Sequence, residues 1–205
     1  MRAFFILAIV AAAALVSATG GIAGQPVTQT LNPPPPPWQT CKAVGSATIC
    51  EGTNTDAYGP VDTGIACGSG AGAFDIFDAA VDEYRIRKFF DENGNLVRRD
   101  FYDRYVFGQN SNPLTGAVVP YTQNDTRVEI FAVPGDTSTA TTTITWEIQS
   151  RAATGATLFR NVGRTVQAPD GSTLFRAGPR GFWTLFDDGD ASVLDPVCAA
   201  LGAAS

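Results

Sequence analysis

Hydrophobic and polar residues alternate along most of the chain after position 40, in short segments rich in Thr, Val, Ile and aromatic residues. Alternation with a period of two is typical of β-strands that bury one face. Clusters of Gly, Asn, Asp and Pro separate these segments, as turns do. The pattern predicts strands at residues 47–52, 73–79, 82–90, 96–107, 117–121, 126–133, 140–149, 157–168 and 173–177.

Two turns between predicted strands are clearly marked. Asn93-Gly94 stands between two aromatic segments, and both residue types tolerate a positive φ, which is what a tight hairpin requires. Asp170-Gly171 stands in the same way between the last two predicted strands. Both pairs of strands are therefore predicted to form β-hairpins.

Helix is scarce in this pattern. Only residues 196–201 resemble a helix, with Asp195 as its N-cap and Pro196 in its first turn. Short strands joined by brief turns predict an all-β fold, an antiparallel meander that closes into a small barrel and carries a short C-terminal helix. A β-sandwich is the alternative, and the length of the strands at 96–107 and 157–168 favours the barrel.

The N-terminus has the pattern of a signal peptide. Arg2 precedes an unbroken apolar run over residues 3–16, and small residues follow it. The run is shorter than the ~20 residues that a membrane-spanning helix needs. Residues 1–23 are therefore predicted to be a leader, cleaved after Ala18 or Ala23, and the mature protein is predicted to be secreted without membrane insertion.

Residues 24–40 differ in composition from the rest of the chain. Five consecutive prolines at 33–37 favour an extended polyproline II segment of ~15 Å. The sequence thus predicts an extended linker at 24–40, acting as a spacer, and a single domain at 41–205.

The charge of the mature chain is strongly negative. Removal of the leader leaves 13 basic and 20 acidic residues, a net charge of −7. Such a surface repels phosphate backbones and anionic headgroups. Nucleic acids and membrane surfaces are therefore not expected as partners.

Four cysteines, an even number, indicate two disulfide bonds in an exported chain. Three pairings satisfy this count. Cys41 and Cys50 form a natural local pair, which leaves Cys67 to pair with Cys198 and to join the start of the domain to its end. The absence of a CxxC motif disfavours zinc ligation and redox catalysis.

Four segments carry a resemblance to known sequences: GNLVRRDFYDRY at 94–105, NPLTG at 112–116, NVGRTVQAPDGSTLFRAGPRGF at 161–182 and CAAL from position 198. They resemble a group of small, secreted, uncharacterised proteins of actinobacteria and their relatives. The resemblance implies export and a bond between Cys67 and Cys198, with Cys41, Cys50 and the proline run as additions. It implies no activity, cofactor or site residue.

The chain contains no histidine. This excludes Ser-His-Asp and Cys-His nucleophile systems, histidine-ligated metals and imidazole acid–base catalysis. Neither of the two lysines, Lys42 and Lys88, lies in an apolar run that would lower its pKa. The composition therefore favours a noncatalytic protein, and no cofactor is predicted.

Carboxylate pairs are the acid–base chemistry that remains. Strand pairing could place Asp100 beside Asp103, or Glu129 beside Glu147, as in glycosidases. Any acidic β protein offers such pairs, so solvated strand faces are the preferred interpretation.

Calcium is the only metal that the sequence makes worth considering. Asp187, Asp188 and Asp190 form a dense acidic cluster in a predicted loop, and carboxylate oxygens are the ligands that calcium prefers. A solvated acidic turn explains the same residues, so no metal site is predicted beyond this weak calcium candidate.

Two long strands carry polar residues on the faces that their alternation predicts to be apolar: Arg99, Asp103, Tyr105, Arg160 and Arg164. Charges on an inward face must be paired or hydrated. In a barrel they could line a cavity and bind a small anionic or carboxylate-bearing ligand. Alternatively, the charges lie at wet strand ends, or a bulge at Gly163 reverses the register.

These observations predict a secreted, noncatalytic β-barrel module that binds a small anionic molecule or a partner in the cell envelope. One alternative is a small-barrel enzyme similar to allene oxide cyclase or dirigent proteins. The other is a structural surface protein without a pocket.

Overall fold

The computed structural model describes residues 27–179 and 191–202. One sheet contains eight strands in sequence order, each antiparallel to the next. Their bounds are Thr40–Val44 (β1), Ala47–Cys67 (β2), Phe74–Phe90 (β3), Leu96–Ser111 (β4), Val118–Phe131 (β5), Ala140–Arg151 (β6), Thr157–Gln167 (β7) and Thr173–Ala177 (β8). The helix Asp195–Gly202 (α1) ends the described chain. The predicted all-β meander with a short C-terminal helix is confirmed.

Both predicted hairpins are present. Gly94 has a φ of 82° in the turn between β3 and β4, where the Asp91 side chain accepts hydrogen bonds from the backbone N–H groups of Asn93 and Asn95. Gly171 has a φ of 83° in the turn between β7 and β8. These conformations are open to glycine at little cost, so the turn residues define where the strands end.

The sheet curls around α1. Cys67 of β2 and Phe159 of β7 belong to one buried cluster with Val197 and Leu201 of the helix. In a flat sheet β2 and β7 would lie five strand spacings apart, ~24 Å, whereas a helix with its side chains is only ~10–12 Å wide. Both strands therefore reach α1 only because the sheet is strongly curved, with an inner and an outer face.

A second buried cluster closes the opposite end of the sheet. It contains Cys50, Phe90, Leu96 and Phe131, with Leu31 packed against it. The inner face is therefore apolar at both ends, and its middle section lies between the two clusters.

The segment before β1 contacts the sheet instead of standing away from it. The backbone N–H of Asn32 donates to Gly94 O, and the N–H of Leu96 donates to Asn32 O. The Trp38 ring packs edge-on against Tyr84, over the place where Gly52 leaves room for it. The described part of the predicted 24–40 spacer thus differs from expectation, because Leu31 and Trp38 bury apolar surface on the domain. The predicted leader, residues 1–23, lies outside the described residues.

Barrel closure is not observed. In the described ranges β1 pairs only with β2 and β8 only with β7, so the sheet keeps two edges. A sandwich is not observed there either, because all eight strands belong to one sheet. Among the described residues, no helix has the length and apolar character to span a membrane.

Both disulfide bonds match the favoured pairing. Cys41–Cys50 joins directly opposite residues of β1 and β2. Cys67–Cys198 joins the end of β2 to α1 and closes a loop with a sequence separation of 131 residues. The long bond thereby holds the helix against the cluster that it completes.

Candidate functional site

The middle section of the inner face is polar, and we call it the polar belt. Directly paired residues of an antiparallel sheet point to the same face, which identifies its members from the strand register. The belt lies on β2, β3, β4 and β5 and consists of Asn54, Asp56, Tyr58, Asp78, Asp82, Tyr84, Lys88, Arg99, Asp103, Tyr105, Tyr121, Gln123, Asp125, Arg127 and Glu129.

The end of the belt nearest Phe90 is basic. Lys88 lies directly opposite Arg99, and Arg99 lies directly opposite Glu129. The guanidinium of Arg99 donates to Glu129 Oε2 at 2.5 Å and packs over the Phe101 ring. Arg127 covers the same ring at 4.1 Å from its centroid and lies 3.5 Å from Glu129 Oε1. Aromatic faces and one carboxylate thus hold both arginine side chains in position.

The centre of the belt is acidic. Asp103 and Asp125 are directly opposite each other on β4 and β5, and Asp82 lies on the neighbouring strand β3. Burial raises the pKa of all three carboxyl groups, and the negative charges around them raise it further. Gln123 donates a hydrogen bond to Asp125 Oδ2 at 2.6 Å, which opposes part of this effect. The three aspartates thus form a cluster of mutually repelling charges.

Tyrosines occupy the end of the belt nearest α1. The Tyr58 hydroxyl donates to Asp78 Oδ2 at 2.7 Å, and the Tyr121 hydroxyl donates to the same oxygen at 3.3 Å. The Tyr105 ring lies 6.1 Å from the Tyr121 ring. Burial and the nearby acidic groups raise the pKa of all three tyrosines. At neutral pH these hydroxyls are therefore protonated and serve as hydrogen-bond donors, not as bases.

A tryptophan forms one wall beside the acidic centre. Trp146 of β6 is directly opposite Asp125 on one side and Gly163 of β7 on the other. Its Nε1 donates to the buried side-chain oxygen of Asn161 at 3.0 Å. The ring lies over the backbone at Gly163, where a Cβ atom would be only 2.3 Å from Trp146 Cζ2. Gly163 is thus required for this ring position.

Several buried polar atoms of the belt have no hydrogen-bond partner among the described residues: Asp78 Oδ1, Asp82 Oδ1 and Arg127 Nε. Burying a polar atom without a hydrogen bond is costly, and folded proteins contain few such atoms. Three of the five such atoms in the described part of the chain belong to the belt, and the other two belong to Gln39.

The structure separates the five predicted site residues into two groups. Arg99, Asp103 and Tyr105 share the inner face, as the alternation of β4 predicts. The expectation that Arg160 and Arg164 share this face is wrong, because the buried positions of β7 are Phe159, Asn161, Gly163 and Thr165. Both arginines are exposed on the outer face, where Arg160 pairs with Glu147 at 2.9 Å.

The predicted carboxylate pairs do not form. Asp100 faces outward and is only 1% exposed, because Arg98 covers it and bonds to it at 2.7 Å, whereas Asp103 faces inward. Glu129 faces inward and Glu147 outward. Neither pair could act on one substrate. The weak calcium candidate, Asp187, Asp188 and Asp190, lies outside the described residues, and those that are described contain no carboxylate or thiol grouping suited to a metal ion.

Lys88 is one of the belt residues that the sequence interpretation missed, together with Tyr58, Asp78, Asp82, Tyr121, Gln123, Asp125 and Arg127. Burial lowers its pKa, and the adjacent Arg99 lowers it further, although no apolar run surrounds it in the sequence. The signal lies in the alternation, because Ile86, Lys88 and Phe90 share the inner face of β3 while Arg87 and Phe89 point outward. A lysine between two apolar residues at a spacing of two could have been recognised as inward.

Comparisons of the chain with protein-family models, with curated proteins and with solved structures give no match. The structure alone therefore defines the class of this protein by its architecture, a curled antiparallel sheet with a polar belt between two apolar clusters.

The aspartate cluster predicts how stability depends on pH. Because Asp82, Asp103 and Asp125 have raised pKa values in the folded state, the folded protein binds protons more readily than the unfolded chain does. Their destabilising effect at neutral pH is therefore relieved as the pH falls through their raised folded-state pKa values towards the ordinary pKa of aspartate. We expect a higher thermal midpoint at mildly acidic than at neutral pH, measured by circular dichroism.

Asp103→Asn should raise the thermal midpoint at neutral pH by a few degrees and should reduce its dependence on pH, since it removes one of the three charges. Asp75→Asn, at an exposed position on the same sheet, is the matched control and should change neither quantity. If the thermal midpoint depended equally on pH in both variants, the three aspartates would not repel one another as described.

Proposed function

We propose that this protein is a secreted, noncatalytic β module that holds a small polar ligand in its polar belt. The observation that carries the proposal is the set of buried belt atoms that form no hydrogen bond among the described residues: Asp78 Oδ1, Asp82 Oδ1 and Arg127 Nε, the last of which lies 3.5 Å from Glu129 Oε1. A ligand with hydrogen-bonding groups would satisfy atoms whose burial is otherwise unfavourable. In this proposal the curled sheet serves as the barrel, and the two apolar clusters close its ends.

Export is part of the proposal. All four cysteines form disulfide bonds, which suits an oxidising compartment. The predicted leader at residues 1–23 supports the same location. The resemblance to secreted actinobacterial proteins remains an expectation that adds to this proposal without supplying a ligand.

The tyrosines of the belt favour binding over catalysis, whereas its aspartates, whose raised pKa values suit proton transfer, do not distinguish the two roles. An enzyme of the allene oxide cyclase or dirigent kind could work without histidine, but it would need groups that move protons. Tyr58, Tyr105 and Tyr121 have raised pKa values, so they donate hydrogen bonds without accepting protons at neutral pH. Groups of this kind orient a ligand, which is why a noncatalytic role is proposed.

A surface-interaction role is the second candidate, and one observation favours it. Leu174 and Phe175 on strand β8 are 62% and 50% exposed. Such apolar exposure on a short strand at the edge of the sheet could pair with another protein of the envelope. This role would leave the polar belt without a ligand, so the two candidates can be separated by experiment.

Native mass spectrometry of protein purified from its own host, with thermal-shift screening of small polar compounds, tests the first candidate. We expect a ligand that raises the thermal midpoint of the wild-type protein. Asp82→Asn should weaken its binding by about tenfold, because one hydrogen-bonded charge of the belt is lost. Glu83→Gln, next in the chain but exposed on the outer face, is the matched control and should bind normally.

Two results would contradict this function. One is a wild-type protein that carries no ligand and responds to no compound. The other is equal loss of binding in both variants, which would place the ligand outside the belt.

A further inference from the structure

Lys88 is a buried lysine on the inner face of β3. Only 9% of its surface is exposed. The register places it directly opposite Cys50 of β2 on one side and Arg99 of β4 on the other. Its direct neighbours across the sheet are therefore a disulfide-bonded cysteine and a second cation, neither of which compensates its charge.

No hydrogen bond or ion pair to Lys88 is formed by the residues in the described ranges. The carboxylate of the same row, Glu129, bonds to Arg99 and lies 3.5 Å from Arg127. In the row formed by Lys88, Arg99 and Glu129 two cations face one carboxylate, so the row has a net charge of +1. A group that brings a negative charge would stabilise it.

The surroundings of Lys88 are those of a site for an organic anion. Ile86 and Phe90 flank it along β3, and Phe101 lies beneath the guanidinium of Arg99. An ammonium in a largely desolvated position without a counter-ion is less favourable than an apolar side chain of the same length. The presence of a lysine at this position is therefore explained by a bound anion whose apolar part contacts these side chains.

We propose that Lys88 and Arg99 together bind the carboxylate group of a small organic acid, an inference that rests on the proposed function of the polar belt. The ammonium of Lys88 supplies the counter-charge, and the guanidinium of Arg99 adds directional hydrogen bonds. A singly charged carboxylate suits this end better than a doubly charged phosphate, because Asp103 and Asp125 lie on the same face and repel additional negative charge.

Nuclear magnetic resonance of lysine-labelled protein tests this directly, since the chain contains only two lysines, Lys42 and Lys88. Lys42 is exposed on β1, so Lys42→Met is the matched control. Lys88→Met and Lys42→Met assign the two side-chain signals. Hexanoate is the carboxylate probe, inorganic phosphate is the second probe, and chloride at equal ionic strength is the reference. We expect hexanoate to shift the Lys88 signal saturably and to leave the Lys42 signal unchanged.

Lys88→Met should abolish the stabilisation of the protein by hexanoate, and Arg99→Gln should weaken hexanoate binding at least tenfold. Lys88→Met should also raise the thermal midpoint of the ligand-free protein by a few degrees, because an uncompensated charge is removed. Lys88→Gln provides a second variant in which the signal of Lys42 reports folding. These results would establish Lys88 as a ligand-binding residue and not a structural one.

The failure of this inference differs from the failure of the proposed function. A Lys88 signal that does not respond to hexanoate, in a protein that still binds a ligand sensitive to Asp82→Asn, overturns the carboxylate site alone. A response to phosphate but not to hexanoate overturns the carboxylate class. Absence of any ligand overturns the proposed function. The titration of the Lys88 signal with hexanoate is a separate measurement and tests the carboxylate site by itself.

Discussion

Replacement of Cys67 and Cys198 together by alanine is expected to lower the free energy of unfolding by about 5 kcal/mol. The bond closes a loop with a sequence separation of 131 residues, and the entropy that such a loop withholds from the unfolded chain corresponds to this value. The bond also holds α1, whose Val197 and Leu201 are fully buried in the cluster around which the sheet curls. Urea unfolding followed by circular dichroism measures the difference.

The second disulfide bond provides the control for this prediction. Cys41–Cys50 has a sequence separation of only 9 residues and joins two strands that already pair along their length. The same chain-entropy relation gives about 2.5 kcal/mol for the Cys41→Ala, Cys50→Ala variant. A larger loss from the short bond than from the long one would contradict the view that the Cys67–Cys198 bond closes the fold.

The antiparallel meander and the hairpins could be predicted because local chemistry specifies them, whereas β1 was not predicted and β3 was predicted as two strands. Asn93-Gly94 and Asp170-Gly171 end their strands in the structure as the sequence indicates. Disulfide pairing followed from proximity in the chain and, for the long bond, from the resemblance. These features depend on a few adjacent residues and not on the shape of the whole sheet.

Strand continuity was harder to predict, for a reason linked to the candidate site. The predicted break between 117–121 and 126–133 falls where Gln123 and Asp125 point inward on the continuous strand β5. Polar residues at inward positions remove the apolar alternation on which the prediction depends. For the same reason most of β2 was not predicted as a strand, because polar residues such as Asp56, which faces Asp82 across the sheet, point inward there. The polar residues of the belt therefore gave these strands a sequence pattern typical of loops.

Register explains why the predicted site was only partly correct. On β4 the alternation holds from Arg99 to Tyr105, so three predicted residues share the belt. On β7 the inward positions include Asn161, Gly163 and Thr165, while Val162 and Val166 point outward with Arg160 and Arg164. Tertiary packing buries the small and polar residues there, because the Trp146 ring requires Gly163 beneath it. Hydrophobicity alone therefore assigned the wrong face.

Gly163→Ala is expected to lower the free energy of unfolding by about 2–3 kcal/mol. A Cβ atom at this position would lie 2.3 Å from Trp146 Cζ2 and 2.9 Å from the carbonyl oxygen of Ala177, and the second contact is with backbone that cannot turn aside. Trp146 would have to leave its hydrogen bond with Asn161, and the wall opposite Asp125 would move with it. Chemical denaturation measures the loss, and the tryptophan emission spectrum reports the displaced ring.

Gly72→Ala is the matched control, since a Cβ atom there would meet no atom within 4 Å. It should change the free energy of unfolding by no more than about 0.5 kcal/mol. Because Trp146 stands between Asp125 and Gly163 in the strand register, Gly163→Ala should also weaken ligand binding in the belt in proportion to the change in emission, whereas Gly72→Ala should not. Equal stability of the two variants would mean that Trp146 is not packed on the backbone of β7. The wall beside the aspartate cluster would then need a different description.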